Sequence, residues 1–139
     1  MATVARKKVL VVEDDDLVLF SLERRLRSAG FDVVTASTGR EAVDYARQHL
    51  PAAITLDIRL PDFDGLEVAQ QLRDDLRTHR IPIIFLTGRV DRDLQEGCQA
   101  VGGRFYIRKP YDPQLLVCAL TELMTPRQSE RLPAGIQEQ

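Results

Sequence analysis

An α/β sandwich built on a parallel sheet is the fold class this sequence predicts, and three observations predict it. Short apolar runs alternate with longer segments of helical period. The runs are continuously apolar rather than alternating apolar with polar, which suits strands buried on both faces. Five strand–helix pairs follow one another without a break, the pattern of βαβ units.

The elements can be justified in chain order. The first run is "VLVV", Val9–Val12, and four acids, Glu13 to Asp16, follow it. A helix comes next, with Leu19, Leu22, Leu26 and Ala29 on one stripe and Gly30 where it ends. "VVTA", Val33–Ala36, is the second strand; Thr38 with Glu41 then has the spacing of a capping box and opens a second helix. "AAITL", Ala52–Leu56, is the third strand. Asp64 with Glu67 repeats the capping spacing and leads a stripe of Leu66, Ala69, Leu72 and Leu76. The fourth strand is "IPIIFL", Ile81–Leu86, followed by a weaker stripe of Val90, Leu94 and Val101. "FYI", Phe105–Ile107, is the fifth. Asp112 caps the last helix, "PQLLVCALTELM", with Pro113 at its first position. Its "LLVCAL" run exceeds one buried stripe, so the helix either wedges deep in the core or offers an apolar strip to a partner. From Pro126 the chain loses periodicity and gains Pro and Gly. The expected organisation is an arm at 1–6, one domain at 7–125 and a flexible tail at 126–139.

Composition narrows the function classes. Nineteen basic against twenty-one acidic residues gives a formal charge of −2, without the basic footprint of a nucleic-acid binder. No apolar run approaches the roughly 20 residues that span a bilayer, and the N-terminus lacks a signal peptide's long apolar region. Cys98 and Cys118 have no metal-type spacing and form no disulfide framework. A reduced, cytoplasmic setting is the expectation.

Chemistry is expected where the strands end, because open α/β sheets bind ligands beyond the carboxyl ends of their strands. Glu13 and Asp14 follow the first run, Asp57 the third, Thr87 the fourth and Lys109 the fifth. Parallel strands would bring all of these to one rim. Two carboxylates about 4 Å apart repel by roughly 4 kcal/mol at an effective dielectric near 20, so such a cluster calls for a divalent cation or a proton. Oxygen-only ligands point to Mg²⁺ or another hard ion such as Mn²⁺. A hydroxyl and an ammonium suit an anion, such as a phosphoryl group, and Asp57 could then be its acceptor. Asp15 or Asp16 is explained by helix capping, and Asp62 and Asp64 by a turn and a cap. His49 and His79 have no partner in sequence and receive no chemistry.

"VLVVEDD", "TLDIRLPDFDG", "FLTG" and "YIRKPY", in this order and spacing, resemble the receiver domain of two-component response regulators over about Lys8 to Met124. The resemblance implies a flavodoxin-like strand order, 2-1-3-4-5, which is the order known for that fold class rather than one read from these residues. It also implies a phospho-acceptor switch rather than an enzyme. Asp57 would take a phosphoryl group from a sensor histidine kinase or a histidine phosphotransfer protein. Glu13, Asp14, Asp57 and the backbone carbonyl of Arg59 would hold the metal. Thr87 and Lys109 would bind phosphoryl oxygens, and Tyr106 would be the switch aromatic, turning inward when Thr87 moves. A stand-alone receiver would control an unknown downstream protein, or form a homodimer through the last two helices and strand. Two positions depart from the family's common pattern: Glu13, where aspartate is also common, and Gly88, where alanine is frequent. The glycine enlarges the space beside the phosphate, which favours faster loss of the phosphoryl group. An aspartyl phosphatase would want a second aspartate where Arg59 stands, and an FMN binder would want a Ser/Thr/Gly loop where the four acids stand. A receiver-like docking module that works without phosphorylation is the alternative function.

Overall fold

The computed structural model describes residues 6–88, 92–101, 105–124 and 136–138. Strand and helix alternate along it: β1 (Lys8–Val12), α1 (Asp16–Ser28), β2 (Asp32–Ala36), α2 (Gly39–His49), β3 (Ala53–Asp57), α3 (Gly65–Arg73), β4 (Ile83–Thr87), α4 (Arg92–Ala100), β5 (Phe105–Arg108) and α5 (Pro113–Met124). The five strands are parallel and lie in the order β2-β1-β3-β4-β5, as the resemblance implied.

Val9–Val12 of β1 and all of β3 and β4 are buried on both faces, and successive side chains feed two separate cores. Leu10, Val12, Ile54, Leu56 and Phe85 face α2, α3 and α4, meeting Ala42, Val43, Val68, Leu72, Leu94 and Cys98. Val9, Val11, Ala53, Ile84 and Leu86 face α1 and α5, meeting Leu22, Leu26, Leu116 and Leu120. A three-layer sandwich results. The alternation explains why the runs are continuous in sequence: both parities of each strand need an apolar side chain.

The helix starts follow the sequence. Asp15 accepts from the N–H groups of Leu17 and Val18, Thr38 from Glu41 and Asp64 from Leu66. Asp112 accepts from the N–H of Gln114. Glu41 does not reach back to Thr38; its carboxylate takes the N–H of Ser37 instead, one residue earlier than a capping box requires. Gly30, with φ +100°, follows the C-cap of α1, where a side chain would be strained.

Three expectations change, and one of two open readings, that of the last helix, is decided. Leu76 does not continue the α3 stripe: the helix ends at Arg73, and Leu76 is 87% exposed. The cause is local, since the Asp75 carboxylate takes the N–H of Arg77 and pairs with Arg47, offering the backbone an alternative to the next helical turn. Ala29 is the C-cap of α1 and lies on the surface. The apolar run of α5 goes largely to the core, with Leu116, Val117, Ala119 and Leu120 buried. Finally, the stretch expected as an irregular tail contributes a sixth strand, β6 (Ile136–Glu138), antiparallel to β5 with Tyr106 opposite Gln137. It satisfies backbone groups that a terminal sheet strand otherwise leaves unpaired. Residues 1–5 of the expected arm, Val90, residue 125, and residues 126–135 and 139 of the expected tail lie outside the described residues.

Candidate functional site

Parallel pairing sets the site. Val12 pairs with both Ala36 and Leu56, Asp57 pairs with Leu86 and Thr87 with Arg108, so all the carboxyl ends reach one rim together. A cleft opens there, lined by Glu13, Asp14, Asp57, Arg59, Thr87, Gly88 and Lys109 among others. Every polar residue singled out from a strand end, except Tyr106, borders it.

Lys109 ties the cleft together. Its ammonium lies 3.0 Å from Asp57 Oδ2 and 3.3 Å from Glu13 Oε1, bridging two other strand ends from the end of β5. Its backbone N–H donates to the carbonyl of Thr87 at 2.6 Å, which fixes the end of β5 against that of β4. The other Asp57 oxygen, Oδ1, accepts the N–H of Arg59 at 3.0 Å. Asp57 is therefore held from both sides, in one orientation.

The electrostatics are those of crowded acid. Glu13, Asp14 and Asp57 can each bring a carboxylate oxygen within 4.8 Å of the others. Glu13 is 2% exposed and Asp57 5%, while Asp14 faces solvent. Burial, reinforced by the Asp57 charge, pushes the Glu13 carboxyl from 4.5 up to about 7. For Lys109 burial works toward a lower value, but the Asp57 hydrogen bond and the charges of Asp57 and Glu13 outweigh it and hold the ammonium charged. Tyr111 beside the site is pushed up to about 12 by burial and then by the same two carboxylates. Among the described residues, the Lys109 ammonium touches two members of this three-carboxylate cluster, which leaves the cluster a surplus of acidic groups. Oxygen donors at this density suit a hard divalent cation, so the residues present fit Mg²⁺.

Tyr106 is placed differently from expectation. Its ring is 4% exposed and packs in the core between the sheet and α4, with Phe85, Leu94 and Cys98 in the same cluster. The inward position is thus already filled in this conformation. Gly88 sits at the cleft mouth, and a Cβ there would meet nothing within 4 Å, so packing does not require the glycine.

Two features escaped the sequence reading. Gly65 reads there only as the residue after a cap, yet a Cβ on it would fall 2.5 Å from the Asp57 carbonyl oxygen. Its N–H donates to Ile58 O at 2.7 Å and closes the loop that follows Asp57. Asp62, assigned to that loop's turn, accepts from Phe63 N there and also reaches the start of α2, accepting from Gly39 and Arg40. Nothing in the sequence connects positions so far apart.

Comparison with known proteins agrees with this geometry. Residues 9–121 match the family model of the response regulator receiver domain. The chain is 38% identical over 109 residues to the polar-differentiation response regulator DivK of Brucella ovis, covering 75% of this chain and 85% of that protein. Among solved structures it is similar to the chemotaxis response regulator CheY4 of Vibrio cholerae, with TM-score 0.81 and 28% identity over 86% of this chain and 99% of the other. It is also similar to a sensor histidine kinase receiver domain from Pseudomonas aeruginosa PAO1, whose structure has a magnesium ion coordinated in the active-site cleft. There the TM-score is 0.79, with 32% identity over 86% of this chain and 98% of the other. The 2-1-3-4-5 sheet, the acid-lined rim and the matched sequence together place this chain in the response regulator receiver domain family of two-component signalling.

Proposed function

We propose that the protein is a phospho-acceptor switch in which Asp57 accepts a phosphoryl group from the phosphohistidine of a sensor histidine kinase or a histidine phosphotransfer protein. The observation that carries this reading is the Lys109 ammonium, 3.0 Å from Asp57 Oδ2 at the rim where the strand ends meet. An Asp57 oxygen attacks phosphorus, the P–N bond breaks, and the imidazole nitrogen leaves with the bonding electron pair. Lys109 and Thr87 receive the phosphoryl oxygens, so positioning and charge stabilisation come from this chain rather than from the donor.

Asp14, Asp57, Glu13 and the Arg59 carbonyl are the groups that would hold Mg²⁺. When bound, the cation offsets the charge of the incoming phosphoryl group against the carboxylates. Hydrogen bonds to charged groups contribute about 1.5–3 kcal/mol each. Moving a conformer ratio from 1:99 to 99:1 takes about 5.5 kcal/mol, so contacts from Thr87 and Lys109 are the right size to drive a switch. The signal would leave through a downstream protein or a homodimer.

A protein donor also suits the surroundings of the cleft. Lys109 and Tyr111 border a groove shared with Leu17 and Val18, where Leu17 is 82% exposed, and Phe20 on the same helix is 58% exposed. Apolar side chains this open beside a reactive carboxylate favour a macromolecular phosphohistidine over a small phosphate ester.

Incubation with acetyl phosphate and Mg²⁺ is expected to label the wild type and leave Asp57→Asn unlabelled, as read by intact-protein mass spectrometry. Labelling that persists in the variant overturns the assignment. A folded wild type that takes no label from acetyl phosphate or from a phosphohistidine donor supports the docking-module reading instead.

A further inference from the structure

We propose that Asp62 is a positioning residue: its carboxylate, anchored on the start of α2, holds the β3–α3 loop in the shape that lets the site take up a divalent cation. This rests on the phospho-acceptor reading of the cleft.

The loop from Ile58 to Asp64 forms one wall of the cleft along its whole length. It carries Arg59, whose N–H orients Asp57 at 3.0 Å and whose carbonyl is assigned to the metal. At its base the loop is closed by the Gly65 N–H on Ile58 O. Farther out, Asp62 links it to another element. Oδ1 accepts from Gly39 N at 2.7 Å and from the loop's own Phe63 N at 2.9 Å, and Oδ2 accepts from Arg40 N at 3.0 Å.

The Gly39 and Arg40 N–H groups belong to the first turn of α2, where they have no intrahelical acceptor and where the helix dipole favours an anion. Thr38 already caps the same helix end through Glu41 N. Asp62 is therefore an additional acceptor supplied from outside. The close approach is built in, because a Cβ on Gly39 would lie 2.7 Å from Phe63 Cδ2 and 2.9 Å from Val68 Cγ2. A residue serving only its own turn would bond to its own loop, whereas two of the three donors here come from 22 and 23 residues away. The N–H donors of Gly39, Arg40 and Phe63, working against a desolvation that would raise it, hold the Asp62 carboxyl below its ordinary value, so the contact stays charged near neutrality.

The test compares wild type, Asp62→Ala, Asp62→Asn and Thr38→Ala. Thr38→Ala removes a cap from the same helix end without touching the loop. Mg²⁺ alone is titrated against amide NMR shifts, and acetyl phosphate labelling is timed at saturating Mg²⁺. Asp62→Ala is expected to weaken Mg²⁺ binding roughly threefold to tenfold, somewhat less than the loss of a direct outer-shell partner costs. Its labelling rate at saturating Mg²⁺ should stay close to wild type, and Asp62→Asn should fall between the two. Thr38→Ala should lower the melting temperature and leave Mg²⁺ affinity unchanged. Equal affinity in wild type and folded Asp62→Ala, or equal loss in Thr38→Ala, overturns the positioning role while the phospho-acceptor reading stands. A wild type that neither binds Mg²⁺ nor takes label removes both.

Discussion

Glu13 shows what the crowded acids cost the resting protein. Its carboxyl keeps a proton up to about 7 in the fold, against 4.5 in the unfolded chain. Between these values the folded state binds more protons, so stability falls as pH rises through the window and is greatest from this group below it. Thermal melts in EDTA should therefore decline from pH 4.5 to about 7, and Glu13→Gln should flatten that decline. Saturating Mg²⁺ should oppose it, since a cation favours the ionised form. A decline of the same size in the variant would show that another group is responsible. Asp75 works at the other end of the scale: its hydrogen bonds with Arg77, then with Arg47, hold it down to about 2, so its contribution is lost only as acid protonates it.

Among the elements, β3 does two jobs and shows the tension between them. All of its residues are buried, and its last one is the proposed acceptor. Thr55 lies mid-strand with its hydroxyl buried and, among the described residues, without a hydrogen-bond partner. Thr55→Val should stabilise the protein by about 1 kcal/mol, since an unsatisfied buried polar group costs about 1–3 kcal/mol. Chemical denaturation would show this as a higher midpoint with an unchanged slope, and an unchanged or lower midpoint would count against it. The last helix, α5, carries a different lesson. Because Val117 is buried in the core, Val117→Glu would bury an unpaired charge, and lost signalling in that variant would report unfolding rather than a broken partner surface.

For the molecule as a whole, the strands and helix starts were legible because they depend on local rules. Runs such as "VLVV" and "IPIIFL" declare buried parallel strands, and Thr38, Asp64 and Asp112 declare caps. The cleft was legible for a related reason: once strands are parallel, the residue after each run must share a rim. What stayed hidden depends on tertiary contact. The Lys109 bridge to Glu13, the reach of Asp62 to α2 and the inward Tyr106 ring arise only when distant segments meet. Leu76 kept the helical period while a neighbouring aspartate ended the helix, so periodicity alone misled. β6 was invisible because "IQE" has no apolar run; it exists by virtue of the edge it pairs with. Deleting residues 136–139 should thus raise concentration-dependent self-association relative to the full chain, measured by sedimentation velocity. An unchanged sedimentation profile would argue against an edge-guarding role. The same three residues pair with the strand that bears Tyr106, on its side away from β4. Drift in this short stretch can therefore retune how the sheet's flank greets other molecules, giving evolution a dial on that border of the fold.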